Sequence, residues 1–194
     1  MGTFEYLSVF VSIILGLGIT YLIVGIGQLV RKRKQYEFYW LHNLQIFSTF
    51  LILLNAWWIS YSWVGMTELT FFHYLFLMLA PFLIVLASTF LFPGREESNN
   101  PKLKDHYFSV YRPYYILISL VWPLDVIDTL LKGSDRLAQL GWVYICLSLI
   151  AFPLIASVAF TRKAWYHGMV QILNIIGLLG SKILFAPTLE SLVK

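Results

Sequence analysis

The chain has little charge and almost no cysteine. Its single cysteine, Cys146, excludes an internal disulfide. Charged residues make up 12% of the sequence, which is roughly half the share found in an ordinary soluble domain. The metalloprotease motif HExxH, the hydrolase motif Gly-x-Ser-x-Gly and the phosphate-binding loop are also missing. The sequence therefore identifies no reaction and indicates no cofactor.

Long apolar stretches dominate the chain instead. Hydrophobic residues make up 59% of the sequence, and the mean hydropathy is +0.73. Six stretches each approach the length of about 20 apolar residues that a membrane-spanning helix needs. Their predicted bounds are 4–30, 39–63, 71–92, 107–131, 141–160 and 168–187. We therefore predict an all-α polytopic membrane protein, with residues 1–194 forming a single six-transmembrane-helix bundle.

Basic residues are distributed unevenly between the two sides of this bundle. The first connection holds Arg31, Lys32, Arg33 and Lys34, and the two sides carry ten and four basic residues in total. Positively charged connections stay in the cytoplasm, so both termini are predicted to lie outside a plasma or inner membrane. The basic rim is expected to contact anionic lipids at the cytoplasmic face. This topology accounts for the pI of about 9.1 without nucleic-acid binding.

Polar side chains within the apolar stretches are the best functional candidates, because each is costly in lipid. In the predicted topology they form an outer layer and an inner layer. The outer layer supplies the candidate ligand-binding or ion-binding residues, which are Glu5, Asn55, His73, Asp125, Asp128 and Lys182.

Two aspartates stand out in the outer layer. Asp125 and Asp128 are three residues apart on one helical face, and Pro123 is expected to bend the helix beside them. Together with Lys182 they could form a site for a proton or a cation. Alternatively, Lys182 locks the bundle by pairing with one aspartate, or the aspartates lie among lipid headgroups. We expect both carboxylates to point into the bundle, with Lys182 or His73 approaching at least one.

The inner layer contains three histidines, His42, His106 and His167, near the cytoplasmic interface. Histidine is a common ligand of zinc and haem. No two of these histidines have the sequence spacing of a metal motif, so they are metal-ligand candidates by residue type alone. We predict no metal site.

Small residues recur at helical spacing in the first and last stretches. Ser8, Ser12, Gly16 and Thr20 follow one another at steps of four, and Gly177 and Ser181 repeat the spacing. Small residues allow close helix packing in a bilayer. We predict that these residues pack against other helices of the same chain, and a homo-oligomer seam is the alternative.

These observations leave three functional classes. The first is a binding or translocation protein, such as a transporter or channel, that handles a proton, an ion or a small amphiphile at the outer layer. The second is a structural or partner protein that assembles through the small residues. The third is a membrane enzyme acting on a lipid-soluble substrate. A cavity that reaches Asp125 and Asp128 favours the first class, and a dry bundle with an oligomer seam favours the second.

Overall fold

The computed structural model describes residues 3–64, 70–94, 102–132 and 134–185. These residues form helices and no strand, which confirms the predicted all-α class. The helices are α1 (Thr3–Arg31), α2 (Trp40–Ser60), α3 (Phe71–Ser88), α4 (Leu103–Leu131), α5 (Ser134–Ser157) and α6 (Ala164–Phe185). Short 3-10 turns at Tyr61–Trp63 and Val158–Phe160 follow α2 and α5.

Five of the six helices, α1 to α5, are long and apolar enough to cross a membrane. The outward sides of the helices agree with this environment. Large exposed apolar side chains cover them, among them Ile13, Leu17, Phe72, Phe82 and Leu149. A protein surrounded by water rarely exposes so much contiguous apolar surface. The bundle therefore has the surface of a membrane protein.

The helix ends differ from the predicted spans in several places. The helix α3 ends at Ser88, before the predicted bound of 92, because the chain turns after it. The helix α4 begins at Leu103, before the apolar stretch starts at 107. An apolar run identifies the part of a helix within the lipid, and the helix itself can continue beyond that part. The last predicted span ends at 187, and residues 186–194 lie outside the described ranges.

The helix α5 contains a break close to the predicted start of the fifth span. Gly141 has φ of +71° and ψ of 169°, so the helical backbone is interrupted there. Side chains other than glycine rarely adopt this conformation. Glycine at this position therefore divides a short first segment from the apolar part of α5.

The helix α1 packs against α2 and α3. Its buried face carries Leu7, Val11, Leu15 and Leu22. Two glycines on the same face allow close approach. A Cβ added at Gly18 would lie 2.9 Å from Leu53 Cδ2, and a Cβ at Gly25 would overlap the Phe92 ring.

The packing predicted for the four-residue stripe on α1 is not observed. Ser12 and Thr20 are exposed, and an added Cβ at Gly16 meets no described atom within 4 Å. Ser8 is half-buried and donates a hydrogen bond to the Glu5 carbonyl of its own helix, at 2.9 Å. The stripe therefore points away from the bundle, because the larger apolar residues beside it fill the contact with α2 and α3.

The small residues of α6 also differ from the prediction. An added Cβ at Gly177 meets no described atom within 4 Å, and Ser181 donates to the Leu178 carbonyl of its own helix. Gly168 is the close-packed glycine of α6, because a Cβ there would overlap the Trp40 ring. Gly177 and Ser181 line a cavity instead.

Candidate ligand-binding cavity

A partly open cavity of about 350 Å³ lies towards the end of the bundle where α2 and α4 finish. The helices α2 to α6 contribute its walls, which are mainly apolar. Asp125, Asp128 and Lys132 reach it from the last turns of α4, and Tyr144 reaches it from α5. The cavity therefore combines apolar walls with a cluster of polar groups.

A buried ion pair holds one of the two aspartates. Lys132 contacts Asp128 Oδ2 through its ammonium group, and the two side chains are 8% and 12% exposed. The same ammonium donates to Ser62 Oγ at 2.5 Å and lies 5.9 Å from the centre of the Trp63 ring. Residues at positions i and i+4 of a helix meet on one face, so α4 itself brings Lys132 to Asp128.

The second aspartate is held by a neighbouring helix. The Tyr144 hydroxyl of α5 donates a hydrogen bond to Asp125 Oδ2. Thr129 Oγ1 lies 3.4 Å from the same hydroxyl. The positive charges of Lys132 and Lys182 also act on Asp125. Two acids and two lysines therefore share this end of the cavity, and their formal charges balance.

The other outer-layer residues separate into two groups. Asn55 and Lys182 line the cavity with the aspartates. Glu5 is exposed on the first turn of α1, and His73 lies in the first turn of α3, where its backbone N–H donates to the Thr70 hydroxyl at 3.3 Å. Neither is among the described residues that line the cavity.

Sequence reasoning missed two members of this cluster. Lys132 lies one residue beyond the predicted fourth span, which ends at 131, although its spacing from Asp128 signals an ion pair. Tyr144 lies 19 residues from Asp125 on another helix. Its contribution depends on how α4 and α5 pack, and no local pattern reveals it.

Two of the three inner-layer histidines bind the turn that follows α3. His42 Nε2 lies 2.6 Å from the Leu91 carbonyl, and His106 Nε2 lies 3.2 Å from the Phe90 carbonyl. Phe90 and Leu91 lie in the turn that follows α3, and the two imidazoles provide hydrogen-bond partners for their carbonyls. This is a structural role.

The third histidine belongs to a separate buried group. His167 Nδ1 lies 2.8 Å from the Tyr107 hydroxyl, and its Nε2 lies 2.9 Å from the Thr161 carbonyl. Both ring nitrogens are therefore engaged by protein groups. Within the described ranges, no set of three or more His, Cys, Asp or Glu side chains has the arrangement of a metal site.

The helices and the cavity define a class of protein, namely an all-helical membrane bundle with a partly open cavity that is apolar along its walls and polar at one end. Comparisons with known proteins add no narrower assignment. No family model, no curated protein and no solved structure matches the chain.

Proposed function

We propose that this protein binds a small amphiphile in the cavity, with the polar head of the ligand against the Asp125 and Asp128 cluster. The observation that supports this proposal is the cavity itself. Its volume of about 350 Å³ falls in the range of small-molecule sites, which are roughly 300–1,000 Å³ and mainly apolar with a few polar groups. A bare ion does not need apolar walls of this extent.

The polar end suggests the chemistry of the head group. Asp128 Oδ1, Asn55 Oδ1 and Asn174 Oδ1 are buried hydrogen-bond acceptors with no partner among the described residues. All three residues line the cavity. A buried acceptor without a partner is costly, and a hydroxyl or amino group can donate to it. We therefore propose a ligand whose head group donates hydrogen bonds and carries no net charge.

The small-residue stripe supports a second candidate function. Ser12 and Thr20 are exposed on the outer side of α1, with Gly16 between them. A second copy of the chain could pack there closely, as small residues allow in lipid. This role as a partner protein is compatible with ligand binding, because none of the described residues that line the cavity belongs to α1.

The first experiment measures binding of 1-aminoanthracene, an apolar fluorophore with an amino group, to the protein in lipid nanodiscs. Gly177→Leu places a side chain in the cavity, and we expect binding to fall. Gly180→Leu is the matched control on the same helix, since an added Cβ also meets no described atom there and Gly180 is not a lining residue. Equal binding by the two variants and the unmodified protein would contradict the proposal.

A second variant tests the polar end. Asn55→Leu removes one unpartnered acceptor and keeps a side chain of similar size. We expect weaker binding of 1-aminoanthracene and little change in binding of anthracene, which lacks the amino group. A parallel loss for both fluorophores would contradict the proposed orientation of the head group.

A further inference from the structure

A second polar group is buried at the opposite end of the bundle from Asp125 and Asp128. It contains Tyr107, Tyr115, His167 and Gln171, which are all at most 3% exposed. Tyr107 and Tyr115 lie on α4, and His167 and Gln171 lie on α6. We call these four residues the inner column. These four residues do not line the cavity, and they are separate from the two histidines that bind the turn after α3.

The hydrogen bonds of the inner column have a defined direction. A carbonyl only accepts, so His167 Nε2 donates to the Thr161 oxygen at 2.9 Å. In a neutral imidazole the other nitrogen then accepts, and it does so from the Tyr107 hydroxyl at 2.8 Å. The Tyr107 oxygen in turn accepts from Tyr115, at 3.1 Å. Three groups that can each accept and donate a proton therefore form a continuous chain.

Gln171 fixes this chain from the side. Its amide nitrogen donates to both tyrosine oxygens, at 3.3 Å to Tyr107 and at shorter range to Tyr115. The Tyr115 oxygen accepts from Gln171, and the Tyr115 hydroxyl donates to the Tyr107 oxygen. The arrangement therefore orients all three hydrogens of the chain from Tyr115 towards Thr161.

The chain points towards the cavity at its other end. Asn174, which lines the cavity, lies three residues after Gln171 on the same face of α6. Gln171 Oε1, Asn174 Oδ1 and both amide atoms of Gln45 are buried and have no hydrogen-bond partner among the described residues. Buried amide atoms in such a position commonly bind ordered water. Water here would join Tyr115 to the cavity.

We propose that the inner column is a proton path between the cavity and the connection that joins α5 to α6. A proton from cavity water binds the Tyr115 oxygen, and Tyr115 passes its own proton to the Tyr107 oxygen. Tyr107 passes its proton to His167 Nδ1, and His167 releases the Nε2 proton to water beside Thr161. One proton enters and one leaves. Rotation of the hydroxyls and exchange of the imidazole proton restore the first state.

This inference rests on the proposed function in one respect, since the cavity is the entrance of the path. It extends that function, because a ligand in the cavity would control the entry of protons. The exit is accessible to water, since the neighbouring residues Arg162 and Lys163 are exposed. The path thus has a defined entrance and a defined exit.

The test is proton flux into liposomes that contain the purified protein and the pH indicator pyranine. A potassium gradient with valinomycin drives the flux. We expect flux above that of protein-free liposomes, and a fall of roughly tenfold or more in Tyr107→Phe, which keeps the ring and removes the transferring hydroxyl. Tyr114→Phe is the matched control, because Tyr114 is equally buried on α4 and its hydroxyl contacts Thr49 at 2.8 Å, outside the column.

A second variant and a parallel measurement separate the outcomes. His167→Gln keeps one donor and one acceptor but does not relay a proton, so it should also lose flux while its melting temperature stays near that of the unmodified protein. Flux in Tyr107→Phe or His167→Gln equal to that of Tyr114→Phe would overturn the proposal, as would unmodified protein no faster than protein-free liposomes. Equal binding of 1-aminoanthracene by Gly177→Leu, Gly180→Leu and the unmodified protein, together with normal proton flux, would instead overturn only the proposed ligand binding.

Discussion

The charged side chains of Asp128 and Lys132 form the most constrained contact of the cavity. Each alone would be a nearly buried charge in a low-dielectric surrounding, and together they neutralise each other. Ser62 and Trp63 provide further contacts to the ammonium group. The pair therefore positions the end of α4 beside the turn that follows α2, and it leaves Asp128 Oδ1 directed at no described protein group.

Removing one member of this pair should be more harmful than removing both. We expect Asp128→Asn to lower the free energy of unfolding by about 3–5 kcal/mol, because it leaves Lys132 buried without its counter-charge. Adding Lys132→Met should restore much of the loss, as coupled sites do. Lys182→Met in place of Lys132→Met is the control and should restore less. Denaturation in detergent, followed by circular dichroism, measures each step.

The helix α1 shows how two periodicities in one segment lead to different faces. Its buried residues Leu7, Val11, Leu15, Gly18 and Leu22 are four, four, three and four positions apart, so they stay on one face. The strict four-residue series from Ser8 to Thr20 drifts around the helix and reaches the outer side. Sequence spacing alone predicted the small-residue series as the packing surface. The deciding factor is the larger apolar area of the first series, and its partners on α2 and α3 are visible only in the fold.

Two glycine variants on α1 should therefore behave differently. Gly18→Leu forces a side chain against Leu53 and Val85, and we expect a loss of about 1–3 kcal/mol from overpacking. Gly16→Leu enters open space, so its unfolding free energy should stay the same or rise slightly with the better helix propensity of leucine. Melting temperatures of the purified monomer in detergent compare them directly. A larger loss in Gly16→Leu than in Gly18→Leu would show that α1 is oriented differently.

For the bundle as a whole, composition was sufficient to predict the helical class, because apolar stretches of this length have few alternatives in lipid. The grouping of Asp125 and Asp128 was also predictable, since both lie on one helical face. The hydrogen-bond and ion-pair partners of these two aspartates were not predictable, with the exception of Lys132. Tyr107 contacts a histidine 60 positions away, and Tyr115 contacts a glutamine 56 positions away. Such contacts depend on the arrangement of α4 and α6, which no local spacing encodes.

The orientation of the bundle in the membrane remains a prediction, and it decides which compartment each polar cluster faces. The sequence predicts ten of the fourteen basic residues on one side, and this side is expected to be cytoplasmic. The cavity with Asp125 and Asp128 would then face outwards and the inner column inwards.

A membrane-impermeant maleimide on intact cells tests this arrangement, in a background where exposed Cys146 is replaced by alanine. We expect labelling of Val64→Cys, which follows α2, and protection of Gln35→Cys, which follows α1, until the cells are permeabilised. Both positions are exposed, so accessibility to solvent alone does not separate them. Labelling of Gln35→Cys with protection of Val64→Cys would invert the bundle, and the proposed proton path would then run from the outer face towards a cavity on the cytoplasmic side.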